Sequence, residues 1–92
     1  GKVSVVVGTH THVQTSDEQI LKNGTGYITD LGMTGPIDSV LGITPESALY
    51  WLKKSMPWPY EVPDTPCMLS GCIFEVDKKT KKCLSVERIC MK

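Results

Sequence analysis

A valine-rich run near the start of the chain constrains the fold more than any other feature. The segment KVSVVV, residues 2–7, has the length of a strand, is almost continuously apolar and stops at Gly8. Runs of this kind are typical of strands that are buried on both faces, as in layered α/β proteins. The run therefore predicts an α/β fold in which further layers cover the sheet.

A second strand and a loop are predicted in the next part of the chain. The segment YITDLG, residues 27–32, alternates bulky and polar side chains, and it follows the strong turn dipeptide Asn23-Gly24. The segment GMTGP, residues 32–36, holds two glycines and a proline. We expect it to form neither helix nor strand, but a loop at a strand end, where α/β proteins often place their functional residues.

The clearest helix is predicted to begin after Thr44. Thr44 can cap the helix, Pro45 suits its first position, and Pro57 should end it. Apolar residues at helical spacing predict one face that packs against the core; they are Ala48, Leu49, Leu52 and Met56.

The last third of the chain predicts a stiff connector and a β-hairpin. Residues 57–66 carry four prolines and should be extended, with Trp58 and Tyr60 packing the connector down rather than binding a ligand. In the hairpin, residues 77–82 form the charged turn. The expected inward-facing residues are Cys72, Phe74 and Val76 on the first arm, and Leu84 and Val86 on the second.

Composition narrows the class of protein. The 92 residues include ten basic and ten acidic side chains, which argues against a surface built for nucleic acid or an anionic membrane. No apolar run approaches the roughly 20 residues of a membrane span, and no signal peptide opens the sequence. We therefore expect a cytoplasmic protein with reduced and mostly buried thiols at Cys67, Cys72, Cys83 and Cys90.

Both histidines of the chain lie in one short segment, THTH, directly after the valine-rich run. If the backbone stays extended there, His10 and His12 point to the same face, about 7 Å apart, and Thr9 and Thr11 point to the other. Two imidazoles on one edge could bind one metal ion or two neighbouring ions. The spacing alone also allows an ordinary pair of exposed histidines.

The segments GTHTHVQT and ITDLGMTGP together resemble the C-terminal part of the YmdB-like family, a branch of the calcineurin-like metallophosphoesterases. The resemblance extends through the Asn-Gly turn, the capped helix and the terminal hairpin. It implies that residues 1–92 are the C-terminal fragment of a single domain. It also implies the fold of that domain, a four-layer α/β/β/α sandwich.

The resemblance further implies a centre of two divalent metal ions, with iron or manganese favoured and zinc as a third option. His10 would bind one ion and His12 the other. In this family the two ions generate a hydroxide and clamp the phosphoryl oxygens of phosphodiesters such as 2′,3′-cyclic nucleotides. The upstream ligand motifs of the family, including its bridging acidic residue, are absent here. We therefore expect the N-terminal part of the domain to supply them and the isolated chain to be inactive.

Other candidate site residues follow the second predicted strand. Asp30 is a candidate to orient a histidine ring from outside the metal ligands. Gly32, Thr34 and Gly35 are candidates to line a phosphate or nucleotide pocket, although a plain turn is the competing interpretation.

The acids Asp17 and Glu18 are expected to be solvated. The alternative function is a non-catalytic binding or regulatory module that retains the nucleotide pocket. A homo-oligomer that builds its site across an interface is also possible.

Overall fold

A computed structural model describes residues 1–54 and 59–92 as two small sheets and one helix. The predicted Met56, Pro57 and Trp58 lie outside the described residues. The elements in chain order are β1 (Val5–Val7), β2 (Gln19–Ile20), β3 (Gly26–Ile28), β4 (Gly35–Pro36), α1 (Pro45–Lys54), β5 (Cys67–Val76) and β6 (Cys83–Met91).

The first sheet places β3 between β1 and β2. β1 runs parallel to β3, with Val6 opposite Tyr27, and β2 runs antiparallel to β3. The predicted turn at Asn23-Gly24 is confirmed between β2 and β3. Both residues have positive φ, 78° and 88°, a conformation that asparagine and glycine adopt more readily than other residues.

Gly8 keeps the two parallel strands close beyond the end of β1. Its N–H donates to the carbonyl of Ile28 at 3.2 Å, and its own carbonyl accepts from the N–H of Leu31 at 3.0 Å. A Cβ at this position would collide with the backbone carbonyl of Thr29. The missing side chain therefore lets the backbone bring the histidine segment alongside residues 30–32.

The second sheet contains the predicted terminal hairpin, which is confirmed. β5 and β6 are antiparallel, with Phe74 opposite Val86. The register shifts between Glu75 and Val76, so that Val76 pairs with Cys83. Because of this bulge Cys83 is buried and Leu84 is 56% exposed, so the prediction that Leu84 faces inward is wrong.

The segment GMTGP contributes an edge strand, which the sequence did not predict. Gly35 and Pro36 pair antiparallel with Met68 and Cys67 at the edge of the second sheet. Proline is tolerated at such an edge because its missing N–H faces away from the neighbouring strand. The loop prediction is therefore wrong for these two residues.

The helix cap and the connector behave as predicted in the described part of the chain. The N–H of Ser47 donates to the Thr44 hydroxyl at 3.2 Å, which is the expected capping bond. Residues 59–66 belong to no helix or strand. The Tyr60 ring stacks on Trp51 of the helix, with centroids 5.4 Å apart, and so packs the connector down.

Large apolar faces remain open. Val6 and Val7 of β1 are 41% and 44% exposed, and Leu49 and Leu52 of α1 are 51% and 79% exposed. The prediction of a doubly buried β1 is therefore wrong for this chain taken alone. In the predicted helix stripe Ala48 is buried, but Leu49 and Leu52 are not. The radius of gyration is 17.1 Å, compared with roughly 12 Å for a compact domain of this length. The described residues do not supply the layers that would cover β1 and α1.

The cysteines are free, as predicted, but they are not mostly buried. Cys83 is buried, Cys72 is half-buried, and Cys67 and Cys90 are exposed. Within the described residues, no helix has the length and apolar character needed to cross a membrane.

Candidate functional site

The two histidines lie on a bent loop rather than on an extension of β1. β1 ends at Val7, and the backbone bends over residues 10–13. His10 and His12 have positive φ, 151° and 66°, which extended strands do not adopt. The alternation rule that placed both side chains on one face therefore does not apply, because the backbone bends from the first histidine onward. The assignment of each histidine to a metal ion stays a prediction.

Asp30 anchors the histidine loop, residues 10–13, at Thr11, which lies between the two histidines. Its side chain is 2% exposed. Oδ2 accepts from the Thr11 N–H at 2.7 Å and from the Thr11 hydroxyl at 2.6 Å, and Oδ1 accepts from the Gly32 N–H at 2.8 Å. The predicted role of Asp30 was to orient a histidine ring. The bonds observed here hold the loop backbone instead.

The segment that follows the histidine loop is joined to Asp30 a second time, through Thr15. The Asp30 N–H donates to the Thr15 hydroxyl at 3.0 Å, and the Thr15 N–H donates to the Asp30 carbonyl at 3.1 Å. The Thr11 hydroxyl, followed by the Gly32 N–H, lowers the pKa of the Asp30 carboxyl below its ordinary value. Asp30 is therefore ionised at neutral pH, and the loop closes around a fixed negative charge.

Asp17 and Glu18, predicted to be solvated rather than to bridge metal ions, stay partly exposed but have defined protein partners. Asp17 accepts from the Thr15 hydroxyl at 2.6 Å and from both the N–H and the hydroxyl of Thr29. The Thr15 bond and then the Thr29 bond lower the pKa of Asp17 from 3.8 to about 2. Glu18 forms an ion pair with Arg88 of β6.

The orientation of the His12 ring is set by a backbone carbonyl. Its Nδ1 lies 2.8 Å from the carbonyl oxygen of Leu41. Because a carbonyl only accepts, Nδ1 must carry the hydrogen, which leaves Nε2 of a neutral ring with a lone pair for a metal ion. This is the arrangement expected of a histidine that binds metal through Nε2.

A tight turn holds that carbonyl in place. Val40 and Ile43 bridge across the turn, and the Gly42 N–H donates to the Ser39 hydroxyl at 3.1 Å. Leu41 and Gly42 both have positive φ, 52° and 98°. Sequence reasoning missed this partner of His12, since the contact is made by backbone. The only sequence signal is the leucine-glycine turn that precedes the helix cap.

Gln14 ties the histidine loop to the second sheet and was also missed. Its Nε2 donates to the carbonyls of Gly71 at 2.9 Å and Ile89 at 3.0 Å. Gly32, which has φ of 88°, packs against Gln14. A Cβ at Gly32 would come within 2.9 Å of the Gln14 Cβ and 3.0 Å of the Ser70 Cβ. Gly32 therefore serves close packing between the two sheets.

His12 is one of the residues that line an apolar groove of about 540 Å³. Leu41 and Ile43 line it from the turn, and Trp51, Leu52 and Tyr60 line it from the helix and the connector. The predicted pocket residues lie elsewhere. Gly32 packs between the sheets, the exposed Thr34 precedes β4, and Gly35 belongs to β4, so none of the three lines this groove.

The two histidines and Asp30 fit a transition-metal centre only in part. Two imidazoles suit iron, manganese or zinc. Both carboxylate oxygens of Asp30 already accept hydrogen bonds, which leaves Asp30 poorly suited to bridge two ions. In residues 1–54 and 59–92, no three or more histidine, cysteine or acidic side chains are grouped to hold a metal ion. These residues can supply two ligands, and a complete centre needs others.

Comparison with known proteins identifies relatives along nearly the whole chain. The model of the family described as YmdB-like protein matches residues 1–89. A 2′,3′-cyclic-nucleotide 2′-phosphodiesterase of Bacillus subtilis is 48% identical over 89 residues, which cover 97% of this chain and 34% of that protein. A putative phosphatase/phosphodiesterase of Mycoplasma pneumoniae is 41% identical over 90 residues, 97% of this chain and 32% of that protein.

A solved structure agrees with these relatives. The crystal structure of a novel phosphatase from Mycoplasma pneumoniae superposes with a TM-score of 0.91 at 40% identity, covering 97% of this chain and 32% of that one. The present chain thus spans about a third of the length of the relatives that it matches.

Proposed function

The chain belongs to the YmdB-like protein family, and from that membership we propose that the whole protein is a metal-dependent phosphodiesterase that hydrolyses 2′,3′-cyclic nucleotides. The observation that carries the proposal is the His12 ring, whose Nδ1 donates to Leu41 and whose Nε2 is left for a metal ion. The named activity of the Bacillus subtilis relative supports the substrate class.

In this proposal His10 and His12 each hold one of two divalent ions, iron or manganese before zinc. Bound divalent ions supply positive charge that stabilises the charge developing on a phosphoryl group. Leu41 orients the His12 ring, and Asp30 fixes the loop through Thr11.

The remaining N-terminal part of the domain provides the other ligands and the bridging acid. It also covers the open face of β1 and the part of α1 outside the groove, which completes a four-layer sandwich. The inactivity of the isolated chain, a cytoplasmic location, a homo-oligomer and a role for Thr34 and Gly35 in the pocket stay predictions.

The test is His12→Ala in the full-length protein, assayed with 2′,3′-cyclic AMP and manganese. Loss of a ligand should lower turnover roughly a hundredfold or more, since even partners outside the ligand shell are worth about 10- to 100-fold. The metal content of the purified protein should fall as well. Val13→Ala is the matched control, because Val13 lies next to His12 with a side chain that is 58% exposed.

Wild-type turnover by His12→Ala would contradict the proposal. A wild-type protein that binds metal and nucleotide but turns over no phosphodiester would instead favour the regulatory module. Circular dichroism of both variants separates the loss of a ligand from the loss of the fold.

A further inference from the structure

The groove beside His12 has the size and shape of a small-molecule site. Its volume of about 540 Å³ falls within the range of roughly 300–1,000 Å³ that is usual for ligand pockets. His12 is one of its lining residues, and the other lining side chains are apolar or aromatic. A ligand that fills the groove therefore needs one polar end, near the histidine, and one flat or apolar body.

The aromatic wall presents a flat surface. The Tyr60 ring lies nearly parallel to the Trp51 ring, at an interplanar angle of 14°, so the indole holds it in place. Tyr60 is nevertheless 66% exposed, and Leu52 beside it is 79% exposed. A preoriented and accessible ring of this kind can accept another aromatic ring by stacking.

We propose that this groove is the subsite for the base of the nucleotide substrate. The inference rests on the proposed function, because a phosphodiester held beside His12 places the rest of a nucleotide within reach of the groove. The base stacks against Tyr60 and lies over Leu52, while Leu41 and Ile43 form the floor.

The proposal also makes a statement about specificity. Apolar side chains read a base by its flat face rather than by its hydrogen-bonding edge. The subsite therefore accepts all four bases and favours purines moderately, because they offer the larger stacking surface.

The experiment uses the full-length protein with manganese and compares two substrates. One is 2′,3′-cyclic AMP, and the other is ribose 2′,3′-cyclic phosphate, which carries the same phosphodiester without a base. Tyr60→Ala should lower the ratio of kcat/KM for 2′,3′-cyclic AMP to kcat/KM for ribose 2′,3′-cyclic phosphate roughly tenfold, the scale of one lost stacking contact. Tyr60→Phe keeps the ring and should keep the ratio.

A second pair of variants guards against a folding defect at Tyr60. Leu52→Ala removes a side chain that lines the groove and should lower the ratio, to a smaller extent than Tyr60→Ala. Leu49→Ala is its matched control, because Leu49 lies on the same helix, is 51% exposed and does not line the groove. Thermal melting of each variant reports whether the fold is kept.

Calorimetry with adenosine 2′-monophosphate separates failure of the subsite from failure of the proposed function. If the wild type hydrolyses neither substrate, the proposed function fails, and a roughly tenfold weaker Kd for Tyr60→Ala still supports the base subsite. An unchanged ratio and an unchanged Kd in both Tyr60→Ala and Leu52→Ala would overturn the subsite. That result is expected if the rest of the domain fills the groove.

Discussion

The histidine loop and the open apolar faces of β1 and α1 differ in how completely this chain supplies their contacts. The loop is closed by hydrogen bonds to a buried Asp30 and to Thr15. The two open faces leave Val6, Val7 and Leu52 between 41% and 79% exposed. The hydrogen bonds that close the loop are thus supplied within this chain, whereas the contacts that would bury the apolar faces are not.

The difference follows from the range of the two interactions. A hydrogen bond needs one partner at about 3 Å, which Asp30 offers to Thr11 because Gly8 keeps the two strands together. Burial of a sheet or a helix face needs a whole second layer. Hydrogen bonds can therefore hold this loop in place while large apolar faces stay open.

Among the variants that remove hydrogen bonds of the loop, Asp30→Ala in the full-length protein should have the largest effect on turnover. The change leaves the N–H groups of Thr11 and Gly32 without their acceptor in a partly buried position. Turnover should fall about 10- to 100-fold, as it does when partners outside the ligand shell are lost. Thr11→Val removes only the hydroxyl bond and should cost less.

Asp38→Ala is the matched control for Asp30→Ala, because Asp38 is an exposed acid on the neighbouring loop. Kinetic assays and metal analysis of the three variants rank the effects. Equal turnover for Asp30→Ala and Asp38→Ala would show that the loop does not depend on Asp30.

A smaller effect, on stability rather than on catalysis, is expected at Asp17. Its pKa is lowered from 3.8 to about 2 in the folded state. The ionised carboxylate therefore stabilises the fold above about pH 4, and this contribution is lost as the pH falls toward about 2.

Asp17→Asn in the full-length protein should melt at a lower temperature than the wild type at neutral pH. The gap should narrow as the pH falls below about 4, because the wild-type side chain then becomes protonated as well. A gap that is constant between neutral pH and about pH 3 would show that the charge of Asp17 contributes nothing.

The sequence predicted those features that local patterns control. The cap at Thr44 and the Asn23-Gly24 turn depend on residues within a few positions of one another, and the hairpin joins two neighbouring segments through a short turn. All three are confirmed. The bulge at Val76 was not predictable, since register depends on how the two arms meet.

The sequence named candidate site residues, whose roles stay predictions, but it did not indicate the geometry around them. His10, His12 and Asp30 were recognised from motifs, whereas the bend of the loop follows from contacts with residues about twenty positions away, such as the bond from Thr11 to Asp30. The Leu41 carbonyl gives no side-chain signal at all, because any residue would present the same oxygen.

The most direct test of the account is a crystal structure of the full-length protein grown with manganese. The account predicts that both histidines bind metal, and that His12 does so through Nε2 while Nδ1 still donates to Leu41. It also predicts that other parts of the domain cover β1 and the part of α1 outside the groove. A metal centre that leaves either histidine unbound, or one that binds His12 through Nδ1, would contradict it.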